Sequence, residues 1–598
     1  MGLPIDAALE HLHAGRPAEA EALLRRHLQR APRDAEGHRV MGVALGRLGK
    51  IDQAKFYFER AIAGFAAGGG VRLGLVHLNL GNALLGAGRA AEALPALRRA
   101  AELLPGSVES WNSLCAAATA AGEPGSLDEA IRAGERAMAL APDHPHVLLN
   151  LGSALGASGD AEASLKLLER AAALAPDDPH VLSTLLMASN YDPARTPGER
   201  AGLHRELGAR LGADQAGAAR ARERGTGAPA GAASGRLRVG YLSFDLRRHV
   251  VAVFMRGVLA AHDRARLEVF AYQTGPEDQV SRELAGLVDH WVSAAGMSDE
   301  QIVERMRRDG LDLLVDLSGH TDGSRPGVLA RRGAPVQATY LGYPNTTGIP
   351  AVDFRIVDAV TDPPGEADGW STERLVRLPR CFLAFAPPMD APAPASVPPS
   401  VAAGAVTFGS FNNASKVNPP LLRAWARVLA GAPGSRLLIK NKAMPCVRTR
   451  ERWLAVIAES GVEAGRVELR GWDASERHHL AAYQEVDVAL DTYPYHGTTT
   501  TCEALWMGVP VVTRAGAAHV SRVGASLLGA VGLEELVCAD EGVYIAKAIE
   551  LARDPGRLRS WREGGATGLR ARMAASPLCD AVGLARALEA AYGAMCSG

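Results

Sequence analysis

Residues 486–513 read VDVALDTYPYHGTTTTCEALWMGVPVVT. The apolar run 486–490 predicts a buried strand and 492–501 a polar, glycine-containing loop. Cys502 and Glu503 are expected to open a helix, and 509–513 reads as a second buried strand. Strand, loop, helix and strand in this order are the unit of a parallel α/β sheet. Thr498, Thr499, Thr500 and Thr501 set four hydroxyls beside the free amides and positive dipole end of that helix, which suits a diphosphate. Simple helix capping is the competing explanation, although a cap needs one threonine or serine and not a run of four. The stretch predicts a nucleotide or nucleotide-sugar site.

The same alternation extends in both directions. Runs 237–245 (LRVGYLSFD), 267–274 (LEVFAYQT) and 311–319 (LDLLVDLSG) are continuously apolar, as strands covered on both faces are, and 299–308 and 324–332 have the length of helices. A Pro/Ala-rich stretch at 387–404 interrupts the pattern. Strand-like runs resume at 406–413, 435–442, 466–471, 486–491 and 509–516. The expected division is a first Rossmann-like lobe over 236–395 and a second, nucleotide-sugar-binding lobe over 396–598. Two such doubly wound sheets in tandem leave a cleft at the carboxyl ends of their strands. Residues 213–235, rich in Ala, Gly and Arg without apolar periodicity, predict a linker. Residues 540–598 are apolar at helical spacing and are expected to return and pack on the lobes.

Before the linker, Pro32, Pro105, Pro142 and Pro176 each follow an Ala- or Leu-rich helical stretch, the last two 34 residues apart. Gly81, Ala93 and Ala100 in 77–105 are matched at the same offsets by Gly152, Ser164 and Ala171 in 147–176. This period and small-residue pattern resemble tetratricopeptide repeats, implying an α-solenoid of roughly five stacked helix hairpins over 1–212. Eight residues after each proline stand Val40, Ser113, Asn150 and Thr184, with Asn79 at the same place in the copy lacking its proline. Asn79 and Asn150 are candidates to hold an extended peptide through their two-sided amides, or are solvated helix positions.

The chain has 598 residues, room for three or four domains, with a 47% hydrophobic fraction and a net charge of −1. That balance argues against general nucleic-acid or membrane attraction. Seven scattered cysteines without a CxxC pair predict neither a disulfide framework nor a zinc site. No basic-then-apolar leader opens the sequence, and no apolar run approaches the ~20 residues that span a bilayer, so the expected compartment is the cytoplasm.

Three longer motifs, LGYPNTTGIPAVDFRIVD (341–358), FGSFNNASKVNP (408–419) and DTYPYHGTTTTCEALWMGVPVVT (491–513), resemble the protein O-GlcNAc transferase and SPINDLY family. The resemblance implies tetratricopeptide repeats followed by a GT-B glycosyltransferase. It also implies an inverting, metal-independent transfer of sugar from a nucleotide diphosphate to Ser or Thr hydroxyls of proteins. No Asp-x-Asp motif is present, in keeping with helix ends and a lysine in place of a metal.

Carried onto this sequence, the resemblance makes Lys416 the cation that neutralises the departing diphosphate, with Asn412 and Asn413 shaping its turn. Thr498, Thr499 and Thr500 would hold the diphosphate, Glu503 the sugar hydroxyls, and His479 the base and ribose, with His478 its competitor. Arg522 is a further candidate for ribose or phosphate. His249 is the general-base candidate, oriented by Asp245, and Asp316 and His320 are secondary ones. Tyr343, Pro344, Asn345, Thr346 and Thr347, together with His320, are assigned to the acceptor side, with Gln337 positioning the turn. UDP-GlcNAc is the favoured donor. The string GTTTTCE looks like SPINDLY, whose plant members use GDP-fucose, and flagellin-modifying relatives use other activated sugars. A repeat adaptor with a non-catalytic transferase domain is the alternative from a different class.

Overall fold

The computed structural model describes residues 4–66, 70–211, 235–473, 475–563, 565 and 568–597. The expected linker, apart from Gly235, lies outside the described residues. The chain divides into two compact units, Met1–Ser158 with Lys166–Ala175, and Gly159–Leu165 with Pro176–Gly598.

The first unit is helical. Helices Ala35–Arg47 and Ile51–Phe65, Gly70–Gly86 and Ala90–Leu103, and Val108–Ala121 and Ser126–Leu140 form successive antiparallel pairs. Small residues set the close approach within a pair: a Cβ at Gly81 would collide with Leu97 of the partner helix. Of the expected groove positions, Val40 is fully buried and belongs to the core. Asn79 is half-buried, and Asn150 donates from Nδ2 to Oδ1 of Asn112 at 2.9 Å.

The second unit begins with helices Pro179–Ser189 and Pro197–Leu211, which the sequence had grouped with the repeats. Two wholly parallel sheets follow. The first has strands β1 (Leu237–Ser243), β2 (Leu267–Gln273), β3 (His290–Ser293), β4 (Leu313–Asp316), β5 (Val336–Tyr340), β6 (Phe354–Asp358) and β7 (Arg374–Leu378), in the order β3-β2-β1-β4-β5-β6-β7. The second has β8 (Thr407–Ser410), β9 (Arg436–Lys440), β10 (Val467–Arg470), β11 (Val488–Leu490), β12 (Val511–Arg514) and β13 (Val537–Cys538), in the order β10-β9-β8-β11-β12-β13. Both repeat the 3-2-1-4-5-6 winding of dinucleotide-binding sheets, the first with one strand added. Register pairs Val239 with Val269 and Leu313, and Ala489 with Gly409 and Val511, so β1 and β11 are paired along both edges.

The C-terminal helix Ala581–Ser597 packs on the first lobe, against helix Val250–Ala261 and β7. Tyr592 and Tyr241 share a hydroxyl–hydroxyl contact at 2.9 Å, and Glu589 accepts from the Asp263 amide at 2.9 Å while meeting His262 at 3.1 Å. Among the described residues all seven cysteines are free, and no helix is long and apolar enough to cross a membrane.

Candidate active site

In each sheet the winding reverses beside the first strand, between β1 and β4 and between β8 and β11. Loops leaving these strand ends diverge, and ligands of such sheets bind in the crevice between them. The sequence candidates fall on these four loops: His249 after β1, Asp316 and His320 at β4, Lys416 after β8, and the threonine run after β11.

The loop after β11 is organised by Asp491, which no sequence argument had singled out. Its Oδ1 accepts from the amides of Thr492 (2.8 Å) and Gly497 (2.7 Å), and its Oδ2 from the Thr513 hydroxyl (2.6 Å). Buried His496 accepts the Gly524 amide on Nδ1 at 3.0 Å, so its proton stands on Nε2 and is donated to the Arg514 carbonyl at 2.9 Å. Burial lowers its pKa, which keeps the ring neutral and the tautomer fixed. At Gly497 a Cβ would collide with the Thr500 hydroxyl and crowd Asn412 Oδ1 at 2.9 Å, so only glycine closes this turn.

Helix Thr499–Trp506 starts three residues before the expected opening at Cys502, which makes threonines its first turn. No side chain caps it. The Cys502 amide reaches the Thr498 carbonyl at 3.1 Å, whereas the amides of Thr499, Thr500 and Thr501 have no partner among the described residues. The Thr500 hydroxyl donates to Asn412 Oδ1 at 3.0 Å, joining this helix to the loop after β8.

That loop carries Lys416. Its Nζ donates to the His496 carbonyl at 2.7 Å and lies 4.2 Å from the Tyr495 ring centroid. Burial pushes the ammonium pKa down to about 8, against the opposing pull of Asp491. A cation with a neutral acceptor and an aromatic face, beside three unpartnered amides, is placed to receive an anion. Asn413, next to it, is exposed.

A second polar chain lies nearby. Lys440, fully buried at the end of β9, meets His479 Nδ1 at 2.7 Å and Asp473 at 3.2 Å, and lies 4.7 Å from the Trp472 ring. Because Nδ1 accepts from the lysine, His479 donates from Nε2 to Glu503 at 3.1 Å. Glu503 also accepts from the Tyr483 hydroxyl at 3.4 Å. Trp472 is largely exposed and its ring lies 4.1 Å from that of His479. His478 is exposed and outside this chain, so His479 is the histidine that the site contains.

In the first lobe, His249 heads helix Val250–Ala261. Its Nδ1 is 3.4 Å from the Val251 amide and 3.5 Å from Asp245 Oδ2. Burial lowers its pKa and raises that of Asp245, so the imidazole is neutral at neutral pH.

Several expected site residues are tied up within the protein instead. Asp316 is buried and accepts from the amides of Ser318 (3.2 Å) and Gly319 (2.7 Å) and the Thr339 hydroxyl (3.2 Å); burial raises its pKa to about 6. His320 donates from Nε2 to the Thr347 carbonyl at 2.7 Å and accepts from Ser183 on Nδ1 at 3.1 Å, with burial lowering its pKa to about 4. Both ring nitrogens of His320 are engaged within the protein, and Asp316 is buried with three hydrogen bonds already on its carboxylate.

The acceptor-side turn is likewise buried. Tyr343 donates to His204 and accepts from Asn190 Nδ2 at 3.0 Å, and Asn345 Nδ2 donates to Asn190 Oδ1 at 2.9 Å. The Thr346 and Thr347 hydroxyls both donate to Glu373 at 2.5 Å, and Pro344 is buried beside them. Gly348 takes a left-handed φ of +70°, and a Cβ on it would collide with the His204 carbonyl, so helix Pro197–Leu211 seats backbone to backbone on the turn. The turn is a packing hub. Gln337 serves the same lobe, donating to the Leu329 and Ala351 carbonyls at 2.8 Å. Arg522 donates to the carbonyls of Val360 (2.6 Å) and Gly516 (2.9 Å), so it joins the lobes where a nucleotide contact had been expected.

Comparison with known proteins agrees with this architecture. The glycosyl transferase family 41 profile matches residues 227–385 and 399–582, and tetratricopeptide profiles match 40–63 and 123–187. The chain belongs to glycosyl transferase family 41. It is 42% identical over 366 residues to a probable UDP-N-acetylglucosamine–peptide N-acetylglucosaminyltransferase SPINDLY of Solanum lycopersicum, covering 60% of this chain and 38% of the relative. It is 30% identical over 378 residues to the protein of that activity named SEC in Arabidopsis thaliana, covering 61% and 38%. The chain thus spans less than half the length of the curated relatives it matches. Among solved structures, a Thermobaculum terrenum O-GlcNAc transferase mutant superposes with a TM-score of 0.78 at 35% identity, over 88% of this chain and 98% of that one.

Within this family 41 fold, Lys416, the threonine helix, His479 and Glu503 are brought together on the second lobe. Asp491, His496, Lys440 and Trp472 complete the surroundings without having been identified from sequence. Asp491 and His496 stood inside the quoted stretch. The position of Lys440, closing an otherwise apolar buried strand, was a signal that the sequence did carry.

Proposed function

We propose that this protein is a protein O-glycosyltransferase that binds a nucleoside-diphosphate sugar on its second lobe and transfers the sugar to Ser or Thr hydroxyls. The reading rests on one observation: the Lys416 ammonium, held on the His496 carbonyl at 2.7 Å, stands beside the three unpartnered amides of helix Thr499–Trp506. In the proposed reaction the acceptor oxygen attacks the anomeric carbon in line, with inversion. The bond from that carbon to the phosphate oxygen breaks and the nucleoside diphosphate departs. Charge grows on the leaving phosphate, and a preorganised cation and amide set stabilises it without a metal. Neutral His249, beside Asp245, takes the acceptor proton on the ring nitrogen that carries none, and Asp245 offsets the charge of the imidazolium that forms. UDP-GlcNAc is the donor in the names of the relatives, and the string GTTTTCE keeps GDP-fucose as the alternative.

Thermal-shift titration of the intact protein with UDP, GDP and CMP is expected to raise the melting temperature with one uracil or guanine diphosphate. Lys416→Ala should remove that shift and abolish transfer while leaving the unliganded melting temperature near that of the parent. No shift with any nucleotide would support a non-enzymatic repeat adaptor, and a fully active Lys416→Ala would remove the phosphate role.

A further inference from the structure

Two adjacent residues at the end of helix Pro179–Ser189 hold the two lobes at once. Asn190 is buried and bonded on both sides of its amide to the first lobe, donating to Tyr343 at 3.0 Å and accepting from Asn345 at 2.9 Å. Tyr191 turns to the second lobe, where its ring stacks on Tyr495 with centroids 5.0 Å apart and planes 17° from parallel. Burial raises the pKa of its hydroxyl to about 12. The Tyr495 ring in turn lies 4.2 Å from the Lys416 ammonium. Stacked aromatic pairs contribute roughly 0.5–1.5 kcal/mol beyond burial and fix ring orientation. A ring held at a fixed angle also fixes the face over which a cation rests.

We propose that Asn190 and Tyr191 are positioning residues for the donor phosphate: Asn190 anchors the segment to the first lobe, and Tyr191, through the Tyr495 ring, holds Lys416 where the diphosphate binds. The inference rests on the phosphate reading of Lys416 and extends it, because it makes a helix that begins within the repeat-matched region (123–187) continue directly into the donor site. Neither residue touches the donor. Their effect is transmitted through the lysine alone and is therefore specific to the phosphate that the lysine meets.

The test uses the full chain and isothermal titration with UDP, UMP, GDP and GMP. Wild type is expected to prefer the diphosphate of its own base, and Tyr191→Ala to reduce that preference by about ten-fold, the size of one charge-assisted hydrogen bond, with monophosphate affinity unchanged. Tyr191→Phe keeps the stack and should behave as wild type. Should Tyr191→Ala not fold, Tyr191→Leu, which retains apolar volume without the stack, is expected to show the same selective loss. A merely structural tyrosine would weaken both nucleotides equally or lower the melting temperature alone. Wild-type preference in Tyr191→Ala or Tyr191→Leu overturns the proposal and leaves the phosphate reading intact, and an equal loss in Tyr191→Phe overturns the role of the stack. A wild-type protein without preference for diphosphates overturns the phosphate reading itself, and this proposal with it.

Discussion

Lys416 shows how one side chain is prepared for an anion. Burial alone would favour a neutral amine, and the nearby Asp491 pulls the other way, which leaves a pKa of about 8. The group is therefore charged near neutrality and loses its proton as pH rises through that value; a bound diphosphate favours the charged form. Nucleoside diphosphate affinity is expected to fall on the order of ten-fold between about pH 7 and about pH 9, the loss of one charged hydrogen bond. Titration calorimetry at the two pH values measures this directly, and Lys416→Met should flatten the dependence. A wild-type affinity that is the same at both would mean the ammonium does not meet the ligand. His496 and His479 illustrate the opposite case, in which each ring nitrogen has a defined partner and the residue supports the site as a neutral group.

At the scale of elements, legibility followed apolar continuity. Strands β1, β2, β4 and β8 to β12 stand within the runs expected of them, because buried parallel strands are uninterrupted in hydrophobicity. The edge strand β3 is short and exposed at both ends, and β13 has two residues, so neither offers a run to detect. Strands β5 and β6 were missed for another reason: Gln337, Thr339, Arg355 and Asp358 break their pattern, yet all four are buried and bonded within the protein. The turn after β5 follows the same logic. Glu373 is buried and accepts from the Thr346, Thr347 and Ser371 hydroxyls and the Thr347 amide, so its loss would orphan several donors. Glu373→Ala is expected to cost roughly 2–4 kcal/mol in urea unfolding with little change in nucleotide affinity of the folded protein. A stable variant with impaired peptide binding would instead restore the acceptor-side assignment.

For the whole molecule, the decisive boundary lies between Ser158 and Pro176 and not after the last repeat-like helix. A Cβ at Gly159 would come within 2.8 Å of the Ala414 carbonyl, and Asp160 accepts from Arg452 at 2.9 Å, so even this turn packs on the second lobe. A chain beginning at Gly159 is accordingly expected to retain the thermal shift with its nucleoside diphosphate. A chain beginning at residue 213 should lose it together with Asn190, Tyr191 and His204. Differential scanning fluorimetry of the two truncations separates these outcomes, and equal shifts in both would dissociate the helices from the donor site.

The repeat pattern, the two parallel lobes, the family motifs and the loops that carry Lys416 and the threonines were all legible in residue order. These depend on periodicity and short-range spacing, which are local properties of a chain. Only the tertiary structure decided which polar residues remain open to a ligand, because that depends on partners more than a hundred residues away. Tyr343 and His320 carry family-like surroundings yet are engaged by Asn190, His204 and Ser183, and Arg522 is drawn to the Val360 carbonyl. The threonine amides and the Lys416 ammonium acquire a shared anion-facing corner only when β8 and β11 lie side by side.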